Sequence, residues 1–92
     1  MILTKEEAAG VLKIDNPEIY STLDIIIPAI GDYLLNATGK DWSADAVIDP
    51  LAKMVASVLL VRWFGDTGMI GKCEDSGLVG LITQLKIKAY GG

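Results

Sequence analysis

Apolar side chains recur along this chain in four stretches, each with a helical period and each preceded by residues that start helices well. Thr4 and Glu7 form a capping-box pair, with Leu3 placed before it to close over Ala8, and they predict a first short helix over Lys5–Lys13. Asp15-Asn16-Pro17 then breaks the chain and restarts it: Asn16 is a favoured cap, and Pro17 suits the first helical position, where a missing N–H costs nothing. The second helix, predicted over Pro17–Ala37, is the longest. Ile19, Leu23, Ile26, Ile27, Ile30 and Leu34 fall on one stripe of it, and Gly39 supplies its stop. Pro28 interrupts this helix on the side opposite the stripe, so a bend there curves the helix around the core and turns the lost backbone bond outward.

Lys40–Asp49 reads as a connector with a helical turn after Ser43, and Trp42 reads as a lid folded back onto the core. Asp49-Pro50 repeats the cap-then-proline start. The third helix, over Pro50–Phe64, is apolar nearly all round, from Leu51, Met54 and Val55 through Val58, Leu59, Leu60 and Val61 to Trp63 and Phe64. Such a helix is either central to its own fold or half-central, with the remainder covered by a neighbour. Gly65–Gly77 carries four glycines and reads as a flexible loop. Leu78, Leu81, Ile82 and Leu85, at i, i+3, i+4 and i+7, predict a short fourth helix capped by Ser76. Lys86–Gly92 alternates charged and apolar residues before its glycines, which reads as a tail, either frayed or able to add a strand to a partner. The expected architecture is all-α: one small domain of about four helices, with two long central helices packed antiparallel and short helices flanking them. Leu23, Ile27, Ile30, Leu34, Val55 and Leu59 are its expected core.

Composition changes this picture in one respect. The chain has 92 residues, one domain's worth, and 51% of them are hydrophobic, with a mean hydropathy of +0.42. A domain this small leaves roughly a third or more of its unfolded surface uncovered, so part of this apolar content faces outward, and contiguous exposed apolar surface marks interaction sites. Ile25, Pro28 and Leu35 lie on the outer side of the second helix beside Asp24 and Asp32, either as scattered surface residues or as a subunit contact. Arg62 projects among Leu51, Val55 and Val58 in the last turn of the third helix, where it either complements the helix dipole or reaches a carboxylate on another subunit. The net charge of −4 without a basic run makes direct DNA binding a poor expectation. A single cysteine, Cys73, excludes an intrachain disulfide and favours synthesis in a reducing cytosol. Neither a secretory signal nor a membrane span is expected, because Met1 leads into a capped, charged helix and the stretch Met54–Phe64 is too short to cross a bilayer.

Catalytic chemistry finds little to work with. Histidine is absent, which removes the usual general base, the commonest metal ligand and every Ser-His or Cys-His pair. Gly71-Lys72 lies in a glycine-rich loop, but Asp66 stands where a phosphate loop opens on glycine, Cys73 replaces its Ser or Thr, and a helix precedes it in place of a strand. Cys73-Glu74-Asp75 reads as an incidental loop cysteine, since two carboxylates oppose a thiolate. Asp24 and Asp32, two turns apart, read as a solvated acidic face more readily than as a cation site. The six aromatic residues are not interleaved with basic ones and read as core and interface. No enzyme activity, metal or cofactor is expected.

The order of these features carries a resemblance. The chain opens with Leu3-Thr4, Ala8 and Leu12-Lys13-Ile14-Asp15; continues with Leu23, Ile26-Ile27, Ala29, Tyr33 and Thr38-Gly39; then has Pro50 and Leu59-Leu60-Val61-Arg62-Trp63-Phe64-Gly65-Asp66; and closes on Leu78, Leu81-Ile82 and Leu85. In this it resembles the small phage head–tail connector family, also called head completion or DNA-packaging adaptor proteins. It departs from that pattern at Pro28, where a helix former is usual, and at Gly65-Asp66, where an Asn-Arg type of ending is usual. The resemblance implies a structural protein of a phage or prophage: a homo-oligomeric ring below the portal that completes the head and docks the tail. Its partners would be further copies of itself, the portal protein and tail-side adaptor proteins. DNA would pass through the channel without specific binding, and no membrane would be involved. The protein would be made in the cytoplasm of the bacterial host and reside at the virion head–tail junction. The same composition also fits a small cytosolic bacterial helical adaptor that dimerises or binds one protein partner. On either reading the candidate subunit or portal interface is Ile25, Leu35, Arg62, Met69, Ile70, Ile87 and Tyr90.

Overall fold

The computed structural model describes residues 2–14, 16–72 and 76–91. They form four α-helices: α1 (Lys5–Leu12), α2 (Tyr20–Thr38), α3 (Pro50–Gly65) and α4 (Ser76–Gly91). Single 3₁₀ turns lie at Pro17–Ile19, Trp42–Ala44 and Thr67–Met69, and no strand occurs among the described residues. This is the all-α domain expected from the pattern.

The starts and stops follow from local chemistry. The backbone N–H of Glu7 donates to Thr4 Oγ1 at 3.0 Å, and the N–H of Thr4 donates to Glu7 Oε1 at 3.1 Å, which completes the capping box of α1. Lys13 ends α1 by adopting the left-handed conformation, φ 57°, so the helix stops one residue earlier than its pattern suggested. Asn16 accepts from the N–H of Glu18 at 3.0 Å, but Pro17 opens only a 3₁₀ turn, and α2 proper begins at Tyr20. α2 runs on through Pro28, which is exposed, and closes at Gly39, whose φ of 79° suits glycine and whose N–H donates to the Leu35 carbonyl at 2.8 Å. Asp49 caps α3 by accepting from the N–H of Leu51 at 2.8 Å.

α3 shares the centre with α2. It packs against α1, α2, α4 and the Thr67–Met69 turn, and buries Ala52, Val55, Ala56, Leu59, Leu60 and Trp63. The six residues expected in the core are all buried. Trp42 is the expected lid: it is buried, and its indole N–H donates to Thr38 Oγ1 at 2.9 Å, while that hydroxyl donates to the Leu34 carbonyl at 2.7 Å. A buried indole therefore keeps its hydrogen bond, and the lid fixes the C-terminal end of α2.

One expectation is corrected. Lys86–Gly92 is not a tail as far as it is described: α4 continues to Gly91 and, at 16 residues, matches α3 in length. The two-residue alternation of Lys86-Ile87-Lys88-Ala89 is a local coincidence on a longer stripe, in which Leu78, Ile82 and Leu85 are buried and Ala89 packs on the core. Lys88 Nζ meets Asp49 at 2.8 Å and ties the end of α4 to the cap of α3. Residues 65–72, the described part of the glycine-rich stretch, make contacts of their own. Asp66 accepts from the N–H of Gly68 at 3.0 Å, Met69 and Ile70 pack against the core, and the Trp63 indole donates to the Lys72 carbonyl at 3.0 Å. Cys73, Glu74 and Asp75 lie outside the described residues, as does the side chain of Ser76, so the readings of the loop cysteine and of the Ser76 cap fall there too.

Ion pairs lace the helices together: Lys5 with Asp24 at 2.6 Å, Lys53 with Glu7, and Lys88 with Asp49. The Lys88 ammonium, and after it the Leu51 N–H, hold the Asp49 carboxyl below the usual carboxylate value; Lys53 and the Thr4 N–H do the same for Glu7. A carboxyl with a lowered folded-state pKa contributes stability that is present above its unfolded value, about 3.9 for aspartate, and is lost as pH falls through the folded value.

Two outcomes are expected. Leu59→Ala should lower the unfolding free energy by about 2–5 kcal/mol in urea titrations, the range for a fully buried large-to-small change; a loss under about 0.5 kcal/mol would put Leu59 outside the core. Asp49→Asn keeps a capping side chain but removes the charge. Its stability at neutral pH should be lower than wild type, and the difference should shrink as pH is taken below about 4, because protonation removes the same charge from the wild-type protein. A difference that stays constant as pH is taken well below about 4 would show that the Lys88 pairing contributes nothing.

Candidate functional site

Most of the exposed large apolar residues gather into three faces, one on each long helix, while Val47, the most exposed of them, stands on the connector before α3. On α2, Ile25 is 64% and Leu35 41% exposed. Leu35 lines a cleft of about 300 Å³ that runs along α2 past Asp24, Pro28, Gly31 and Asp32. Ile2 and Ile27 are the buried apolar residues that line it, and Lys5, Asp41 and Ser43 join them from the segments on either side. Gly31 leaves open space in the wall of the cleft: a Cβ built there meets no atom within 4 Å. Asp24 is occupied by Lys5, and Asp41 caps the Trp42–Ala44 turn by accepting from the Ser43 N–H at 3.1 Å. Asp32 is exposed and enters no ion pair or hydrogen bond among the described residues. The Asp24–Asp32 face is thus one rim of an apolar recess. No group of three or more potential metal ligands occurs among the described residues.

The second face is a shallow apolar groove between α1 and α3, lined by Val11, Met54, Ser57, Val58, Val61 and Arg62. Arg62 lies exposed in the last turn of α3, where a cation complements the dipole. The third face is the outer side of α4, where Ile87 is 65% and Tyr90 75% exposed, with Val79 further along the same side.

Of the seven residues expected at an interface, Ile25, Leu35, Arg62, Ile87 and Tyr90 are exposed, on three different helices. Met69 and Ile70 are half-buried and pack against the core beside the Thr67–Met69 turn, so their apolar surface is largely spent inside the domain. Val11, Met54, Val61 and Val79 are exposed as well, outside those seven. α3 carries few polar residues, but Ser57 stands three after Met54 and four before Val61 and marks the side on which both are exposed, a signal that separates them from buried Val55 and Leu60. No helix is long and apolar enough to cross a membrane among the described residues.

In the cleft the Ser43 hydroxyl donates to Asp41 Oδ1, and none of the three faces holds a buried polar side chain without a partner among the described residues. What they offer chemically is contact: apolar area with a few charges at the rim.

Ile25→Ser and Ile87→Ser should each change the unfolding free energy of the isolated domain by less than about 0.5 kcal/mol, as exposed positions do. A loss above about 1.5 kcal/mol from either, measured by urea titration, would show that the residue supports the fold and is not held free for a partner.

Compared with protein families, characterised proteins and solved structures, this chain finds no match in any of the three.

Proposed function

We propose that this protein is a structural subunit of a phage or prophage head–tail connector: copies of it close into a ring below the portal, complete the head, and dock the tail around the DNA channel. The observation that carries the reading is the division of exposed apolar surface among α2, α3 and α4, whose faces differ in shape and chemistry. A two-fold dimer needs one patch that complements itself. Several unlike patches suit a head-to-tail contact, in which one surface meets a different surface of the next copy, and such a contact closes into a ring or runs on as a filament. Three further features support it. The order of capped helices resembles that family along almost the whole chain. The domain is a flattened body of 40 × 30 × 18 Å, a shape that packs side by side around an axis. The net charge of −4 gives DNA little to hold, as a wall past which DNA must slide requires.

The ring is a mechanical part. It binds no substrate or cofactor, and its partners are its own copies, the portal protein and the adaptor proteins of the tail. Purified protein mixed with portal-bearing, DNA-filled heads should co-sediment with them, and a deletion strain should lose packaged DNA. Failure to bind such heads, together with stable packaged DNA in the deletion strain, would overturn this reading and leave that of a small helical adaptor for one protein partner.

A further inference from the structure

The cleft on α2 and the outer face of α4 have the same helical spacing and opposite relief. Asp24, Pro28, Gly31, Asp32 and Leu35 line the cleft at i, i+4, i+7, i+8 and i+11. Val79, Thr83, Lys86, Ile87 and Tyr90, all exposed, stand on α4 at i, i+4, i+7, i+8 and i+11. At the i+7 position of this pattern α2 has Gly31, with open space where a side chain would be, and α4 has Lys86. One face is a recess and the other a ridge, and ridges of one helix pack into the grooves of another.

Charge favours the same pairing. The cleft carries three carboxylates, Asp24, Asp32 and Asp41, against the one ammonium of Lys5, which is taken by Asp24 at 2.6 Å. The α4 face carries Lys86 and no acidic residue. Lys86, like Asp32, enters no ion pair among the described residues, whereas its neighbour Lys88 is committed to Asp49. The chain therefore carries both an acid-rimmed apolar recess and a basic apolar ridge of matching period, and within one molecule both face outward.

We infer that the occupant of the α2 cleft is α4 of a second copy, docked ridge into recess with Lys86 of one copy beside Asp32 of the other. This rests on the ring reading and supplies its contact: the two surfaces differ, so each copy offers a recess to one neighbour and a ridge to the other. Tyr90 and Ile87 give the contact its apolar area, and the Asp32–Lys86 pair fixes its register, since juxtaposed like charges penalise a slipped or reversed docking.

Charge exchange tests it. Sedimentation equilibrium of the wild-type protein, from micromolar to millimolar, should show self-association. Asp32→Lys and Lys86→Asp should each weaken it by about tenfold or more, because each places like charges together. Mixed in equal amounts, the two variants should associate again, through junctions in which the recess of one variant meets the ridge of the other with charges that no longer repel as they do in either variant alone. Gly31→Leu, which fills the recess without touching charge, should abolish association while leaving the helical circular dichroism and thermal midpoint near wild type. Wild-type protein that stays monomeric at millimolar concentration would overturn the inference, as would binding of an unrelated basic amphipathic peptide in the cleft of that monomer. Association unchanged by either charge reversal would overturn it too. Binding of the variants to portal-bearing heads separates the two proposals: heads that bind Asp32→Lys as they bind wild type contradict this contact and leave the connector reading standing, whereas heads that bind no form contradict the connector reading itself.

Discussion

α1, α4 and the 3₁₀ turns all pack on α2 or α3, and α2 packs against α3. The buried side of α3 pairs small residues, Ala52 and Ala56, with large ones, Leu59, Leu60 and Trp63. Small residues let a neighbouring helix approach closely, and large ones fill the space where helices diverge. The charged groups then act at the ends of this arrangement. Asp49 caps α3 and receives Lys88 from the far end of α4; Lys53, one turn on, receives Glu7 from α1. Trp63, near the other end, meets the ring of Tyr33 edge-on at 5.6 Å and donates to the Lys72 carbonyl. The α2–α3 pair thus sets the position of the other two helices, and the residues it cannot cover decide what the outside offers.

That outside is unusual in kind and ordinary in extent. The accessible surface is 5328 Å², close to the roughly 5,200 Å² that a compact monomer of this mass presents. The chain folds as tightly as a self-sufficient domain, yet it keeps Ile25, Met54, Val61, Ile87 and Tyr90 in water. Lone apolar residues on a surface need no explanation; residues arranged along a cleft, a groove and a helix face on three different elements do. The proposed ring is one account of them. It assigns the α2 recess and the α4 ridge to each other and leaves the α1–α3 groove with Arg62 for the portal or the tail.

Much of this is legible in the sequence where the signal is local. The capping box at Thr4 and Glu7, Asn16 before Pro17, Asp49 before Pro50 and the left-handed Gly39 all stand where their chemistry places them. In α2, Leu23, Ile27, Ile30 and Leu34 keep one period through Pro28, so the stripe reads correctly despite the proline. The signal fails where two periods compete or where none exists. At Lys86–Ala89 a two-residue alternation masks the longer stripe ending in Ala89, and the pattern suggests a tail where α4 continues. The four glycines of 65–77 mark a loop but not the contacts that Asp66, Met69 and the Trp63 indole make within 65–72. The cleft is invisible in the sequence because its lining comes from three separate segments, among them Ile2, Leu35 and Ser43, and its open space lies at Gly31, which has no side chain to read.

The central claim is that the exposed apolar faces are kept for neighbours, and hydroxyl-radical footprinting of the protein, free and bound to portal-bearing heads, tests it most directly. In the free protein, Leu35, Met54, Ile87 and Tyr90 should react readily and buried Leu59 should not. On the heads, reactivity at Leu35, Ile87 and Tyr90 should fall steeply while Leu59 is unchanged. Head-bound protein in which these residues react as fast as in the free chain would contradict the account.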